Sequence, residues 1–223
     1  MISMHNVTKS YAVGKGITTH AVRGLDLDVR PGEFIVITGR SGSGKTTLLN
    51  LAAGLTRPTS GEVLLDGVNL WNLPDQQQSA LRNQKMGFIF QFPSLLPSLT
   101  VLENTALPTL FGPAMNKTEI MRRAVDLLRE VGLTEKLNAY PRQLSAGQQK
   151  RVVIARSLIN HPQVLFADEA TGDLDEETEK EIMALLRDVH QKKGVTVLMV
   201  THNLDLIRYA TRALEMSNGT LRS

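Results

Sequence analysis

The stretch Gly39-Arg40-Ser41-Gly42-Ser43-Gly44-Lys45-Thr46 constrains this chain more than any other. It fits the pattern G-x-x-x-x-G-K-[ST], and its neighbours are the ones that pattern requires. Phe34 to Thr38 is an apolar run short enough for a buried strand, and Thr46 to Ala53 reads as a helix closed by Gly54. Between a strand and a helix, glycines let the backbone curl so that successive N–H groups point at one phosphate, and the helix N-terminus adds positive potential. The segment from Gly39 through Thr46 and Thr47 is therefore a candidate triphosphate cradle. In it Lys45 reaches the outer phosphates and the Thr46 hydroxyl holds Mg²⁺. A chance glycine-rich turn would lack this strand–helix frame.

A metal on a triphosphate needs a carboxylate as well. Val164-Leu165-Phe166-Ala167 is an apolar strand that ends in Asp168-Glu169, the Walker B pattern. A strand end delivers Asp168 rigidly, where it can orient the metal's water shell, and Glu169 is the obvious general base for an attacking water. One acidic residue at a strand end is common by itself; the phosphate loop gives this pair its meaning.

The rest of the chain divides by texture. The first third is β-rich: Leu25, Leu27 and Val29 alternate with Asp26, Asp28 and Arg30, Pro31-Gly32 and Arg57 to Gly61 are turn chemistry, and Glu62 to Leu65 before Asp66-Gly67 predicts a hairpin. The last third predicts helix 146–159, strand 163–167, helix 176–193 and strand 195–200, with a final hairpin at Asn218-Gly219. Strands alternating with helices imply a mostly parallel sheet covered on both faces. Between them, about 92–143 is punctuated by Pro93, Pro97, Pro108 and Pro113, so its helices must be short. The best of them opens at Asn116, with Glu119 in capping-box-like spacing. Ile120, Ala124, Leu127, Leu128 and Val131 fall on one face, and Gly132 ends it. This predicts one nucleotide-binding domain over 1–223, in which 1–91 and 144–223 form a β/α core and about 92–143 an inserted helical subdomain.

Composition narrows the chemistry. The 223 residues contain no cysteine, which excludes a disulfide scaffold, a thiolate nucleophile and a cysteine-bound metal. No apolar run approaches the ~18 residues of a membrane span. Met1 to His5 lacks the order of a signal peptide, so the chain reads as soluble and cytoplasmic. A net charge of +3, scattered basic residues and 4% aromatics describe a solvated surface, not a nucleic-acid platform. His5, His20, His161 and His190 show no ligand spacing, and Trp71 reads as packing.

A third segment gives the pattern a family. Leu144-Ser145-Ala146-Gly147-Gln148-Gln149-Lys150-Arg151 alone would be an ordinary helix start, with Ser145 as N-cap and small residues that let an anion approach the backbone. In its order and spacing with the other two motifs it closely resembles the signature sequence of ATP-binding-cassette (ABC) ATPases, usually Leu-Ser-Gly-Gly-Gln. The resemblance covers about residues 2–221. It departs at Ala146, which replaces a glycine, and at Arg40, where small or acidic residues are also seen.

That resemblance implies an α/β fold: a P-loop NTPase (RecA-like) core with an N-terminal antiparallel β subdomain and an inserted α-helical subdomain. It implies ATP and Mg²⁺ as cofactors. Tyr11 matches the aromatic that stacks on adenine, although a tyrosine ending an edge strand equally serves packing. Gln91, after Gly87-Phe88-Ile89-Phe90, matches the Q-loop glutamine that contacts metal and water. His202 matches the switch histidine near the γ-phosphate, and Asp173-Leu174-Asp175 the D-loop of the dimer interface. The family mechanism is an ATPase working as a head-to-tail homodimer, with each ATP between one phosphate loop and the partner's Ser145, Gly147 and Gln148. Lys45, Gln91, Glu169 and His202 carry the chemistry, and Thr46, Gln91 and Asp168 hold the metal. The partner is a separate integral membrane permease, so the subunit would sit peripherally on the inner face of the cell membrane without inserting into it. Leu95-Leu96-Pro97, Leu102-Glu103-Asn104 and Thr171 to Asp175 resemble the branch of macrolide-exporter and lipoprotein-releasing ATPases. A regulatory ATPase acting on cell-wall hydrolases and an importer ATPase are the alternatives.

Overall fold

Residues 1–12, 14, 17–112 and 116–222 are described by the computed structural model, so Pro113 lies outside the described residues. In chain order the first elements are β1 (Ile2–Ala12), β2 (Thr18–Val29), β3 (Phe34–Thr38), α1 (Lys45–Ala52), β4 (Ser60–Leu65), β5 (Val68–Asn69) and α2 (Asp75–Lys85). Then come β6 (Met86–Ile89), α3 (Val101–Ala106), α4 (Lys117–Glu130), α5 (Ala146–Leu158), β7 (Val164–Asp168) and α6 (Glu176–Lys193). The chain ends with β8 (Thr196–Thr201), β9 (Arg212–Ser217) and β10 (Thr220–Arg222). Two compact units result, one of residues 1–79 with 196–222 and the other of residues 80–195. The helical stretch 92–143 shares its unit with β6, α5, β7 and α6, because α3 packs on both α4 and α5.

In the first unit β2-β1-β4-β5 form an antiparallel sheet, and β10-β9-β3-β8 a second set of paired strands. β3 runs parallel to β8 from Phe34↔Val197 to Thr38↔Thr201, and parallel to β9 on its other side. Every residue of β3 and β8 is buried, which is why both read as unbroken apolar runs and not as alternation. β2 does alternate where it has one wet face: Leu25, Leu27 and Val29 point inward and Asp26 and Asp28 outward. Its first residues, Thr18 to His20, are exposed, so no hydrophobic period announces them. Both expected hairpins form on two-residue turns with positive φ, Asp66-Gly67 between β4 and β5 and Asn218-Gly219 between β9 and β10.

In the second unit β6 and β7 pair in parallel, from Met86↔Val164 to Ile89↔Ala167. Phe88 stacks between Phe90 (centroids 5.7 Å apart) and Phe166 (5.5 Å). α5 buries Val152, Val153, Ile154, Ala155 and Leu158, and α4 buries Ala124, Leu127 and Leu128. Asn116 caps α4 as expected, but its side chain accepts from Thr118 N, two residues on, rather than from Glu119. Among the described residues no helix is long and apolar enough to cross a membrane.

Candidate nucleotide site

The first unit builds the phosphate loop between β3 and α1. Gly39 has φ +155°, and a Cβ there would lie 2.3 Å from the Met216 carbonyl oxygen of β9. Gly44 has φ +106°, and its Cβ would lie 2.2 Å from Ala21 O of β2. Only glycine fits either place. From outside, Gly219 N donates to Ser43 O (3.0 Å), so the β9–β10 turn braces the loop. Lys45, 5% exposed, turns its ammonium back under the curve, where Nζ donates to Gly39 O (2.8 Å) and Arg40 O (3.1 Å). An ammonium has three donors, so one is left over for a phosphate oxygen. Ser43 Oγ is buried with no hydrogen-bond partner among the described residues, an orphan of the kind a bound anion satisfies. Ser41 and Gly42 are exposed, as is Thr46 at the start of α1, with Thr47 half-buried beside it.

His202, far along the chain, follows β8 and lines one cleft with Thr38, Gly39, Arg40 and Ser41; Leu204 and Glu215 complete the wall. The register of β3 against β8, which sets Thr38 opposite Thr201, puts it there. Tyr11 is the last residue but one of β1, which is not an edge strand but lies between β2 and β4. Its surface is 40% exposed, and the Lys9 ammonium sits 5.1 Å from its ring centroid. One ring face is thus engaged in a cation–π contact.

The second unit holds the remaining motifs. Asp168 ends β7 and, like Glu169, is half-buried. Glu169 adopts φ +46°, a left-handed backbone that costs a side-chain-bearing residue about 1–3 kcal/mol and collects at functional sites. Gly172 N returns to Glu169 O (3.1 Å) to close the turn. Gln91 follows β6, and its Nε2 donates to Asp173 Oδ1 across a long 3.4 Å.

Ser145 is the N-cap its sequence suggested, and Gln148 and Gly147 have local structural work that the sequence did not show. Ser145 caps α5 by accepting from Gln148 N (3.2 Å), and Gln148 Oε1 accepts from Ser145 N in return (3.1 Å). Gly147 is buried, and a Cβ there would lie 2.6 Å from Thr178 Cγ2 of α6. Its smallness therefore serves helix packing, whereas Ser145 and Ala146 are exposed. Asp175 caps α6, accepting from Thr178 N (3.0 Å) and Thr178 Oγ (2.7 Å). The sequence reading passed over Lys150, a buried lysine on α5 that donates to Phe90 O and Gln91 O. Its signal was a lysine three and four places before the buried Val153 and Ile154. A separate cavity of about 410 Å³, lined by residues of α4 and by Leu158, His161 and Lys193, contains none of the motif residues.

Thr46, Gln91 and Asp168 all offer oxygen, the donor a hard cation such as Mg²⁺ takes. No group of three or more His, Cys, Asp or Glu among the described residues could cage a metal alone.

Residues 22–172 match the family described as ABC transporter. The chain belongs to that family. This ABC chain is 43% identical to the lipoprotein-releasing system ATP-binding protein LolD of Shewanella frigidimarina, over 100% of the chain and 92% of that protein. It is 42% identical to the ABC transporter ATP-binding protein MJ0796 of Methanocaldococcus jannaschii, over 98% and 94%. It is also 41% identical to the macrolide export ATP-binding/permease protein MacB of Syntrophobacter fumaroxidans, but spans only 31% of that protein's length. Among solved structures, the post-hydrolysis dimer of MJ0796 bound to ADP and Pi matches with a TM-score of 0.91 at 39% identity, covering 100% of this chain and 97% of that one. The ABC protein is thus an ATP-binding ATPase subunit of the transporter class, with the P-loop α/β fold, antiparallel β subdomain and helices that its sequence implied.

Proposed function

We propose that this ATPase works as a head-to-tail homodimer on Mg-ATP and powers a separate membrane permease of the macrolide-export or lipoprotein-release kind, held at the inner face of the cell membrane. The observation that carries the reading is the likeness to LolD, whose length the chain matches nearly throughout. The dimeric MJ0796 cassettes support the assembly.

In this reading the loop from Gly39 to Thr47 wraps the phosphates with its N–H groups, Tyr11 stacks on adenine with the ring face away from Lys9, and Lys45 donates to a phosphate oxygen. Thr46, Gln91 and Asp168 would hold Mg²⁺, which supplies neutralisation of charge on the phosphate oxygens. Glu169 takes the proton of the attacking water, and His202 donates to the transferring phosphoryl group. Ser145 and the first N–H groups of α5, with Gly147 and Gln148, face the nucleotide of the other chain. The second unit leaves Phe92, Leu110 and Phe111 about 70% exposed (68%, 75% and 73%), apolar surface suited to a permease and costly to leave wet.

Glu169→Gln tests the chemistry. Steady-state phosphate release should fall by about 10²-fold or more, while an ATP-bound dimer accumulates in size-exclusion chromatography. Unchanged turnover would remove Glu169 from its role as base.

A further inference from the structure

Helix α5 grips the loop that carries Gln91 with two cationic side chains. Lys150 Nζ donates to Phe90 O (3.1 Å) and Gln91 O (2.7 Å). Six residues on, Arg156 donates through Nη2 to Pro93 O (2.9 Å) and through Nη1 to Ser94 O (2.9 Å). Side chains of one helix thereby bond four of the five carbonyls from 90 to 94. Ser94, at the far end of the grip, sits at φ +47°, a conformation that persists only where its surroundings enforce it.

Lys150 is 2% exposed, among the most buried charged groups of the chain. Burial pushes its ammonium down to about 8, with Asp173 acting weakly the other way. An aliphatic residue would suit that place on the inward face of α5 better if packing were its only duty, since an ammonium is expensive to desolvate. What the lysine adds is directed donors, and both point at the backbone of the residue before Gln91 and of Gln91 itself. The Gln91 side chain is tethered at its other end to Asp173.

We propose that Lys150, seconded by Arg156, is a positioning residue for ATP hydrolysis: it ties the backbone around Gln91 to the helix whose first turn is the signature segment, so that Gln91 and Ser145 take their places together. The proposal rests on the role given to Gln91 above. A guanidinium can also reach two carbonyls, so Lys150→Arg should keep the tie, whereas Lys150→Met cuts it.

The test is a double-mutant cycle on the full chain, with a spectroscopic arm. Lys150→Met should lower kcat on the order of ten- to a hundredfold while KM for ATP stays within about twofold. Lys150→Arg should recover most of the loss, and in a Gln91→Ala background Lys150→Met should cost nothing further. Because the chain has no cysteine, a nitroxide on Phe92→Cys reports the gripped loop alone. Its spectrum should sharpen toward the mobile limit in Lys150→Met and not in Lys150→Arg. Additive losses, a rise in KM with kcat unchanged, or an unchanged nitroxide spectrum would each overturn the tie. A silent Gln91→Ala would instead overturn the role of Gln91, and the proposal with it.

Discussion

Gly44 shows how little freedom the phosphate loop has at single residues. It combines a left-handed backbone with a Cβ position 2.2 Å from Ala21 O, whereas Gly42, also at positive φ, has nothing within 4 Å of where its Cβ would be. Gly44→Ala must therefore move backbone, and Gly42→Ala need only bear strain. Titration with a fluorescent ATP analogue should show Gly44→Ala weakened by roughly tenfold more than Gly42→Ala, about 1.4 kcal/mol. The loop was legible because all its parts are covalent neighbours. Lys150 was not, because a buried lysine is recognised only once the packed face of its helix is known. Gln148 was legible as part of a motif, but its capping partnership with Ser145 is a matter of rotamer.

At the scale of elements, α6 was legible to its ends, 176–193, because both signals are local: Asp175 caps it and Gly194 terminates it in a left-handed turn. The cap has a pH signature. The backbone N–H and hydroxyl of Thr178 hold the Asp175 carboxyl below its ordinary 3.8. A folded-state value below the unfolded one means the cap contributes fully above 3.8 and is lost as pH falls through the depressed value. Asp175→Asn keeps an acceptor that does not titrate, so its thermal midpoint should drop less than the parent's between about pH 5 and pH 3. The α5–α6 contact gives a second check. Gly147→Ala should destabilise by about 1–3 kcal/mol in thermal melts, from overpacking against the Thr178 methyl. Thr178→Ser, which removes that methyl and keeps the hydroxyl bonded to Asp175, should restore most of it. The start of β2 was not legible, since a strand wet on both faces carries no period.

For the whole molecule, the sequence order of three motifs was enough to give the fold and the family. It did not give the division of the chain at 79/80 and 195/196, which depends on contacts between distant segments. Nor could it show which apolar residues stay outside: nothing in residue order marks Leu110 and Phe111 as ones the structure leaves in solvent. If that surface receives the permease, Leu110→Glu with Phe111→Glu should abolish co-purification of the membrane subunit from detergent extracts. An unchanged thermal midpoint would show that folding is intact.

The brace on the phosphate loop has a consequence in time. Met216 O packs on Gly39 and Gly219 N holds Ser43 O, from a turn made more than 170 residues after the loop it braces. On the ribosome, the cradle has its sequence long before it has its support. The last of its bracing arrives with the β9–β10 hairpin, so the cradle is completed by a segment distant in sequence from the residues that form it.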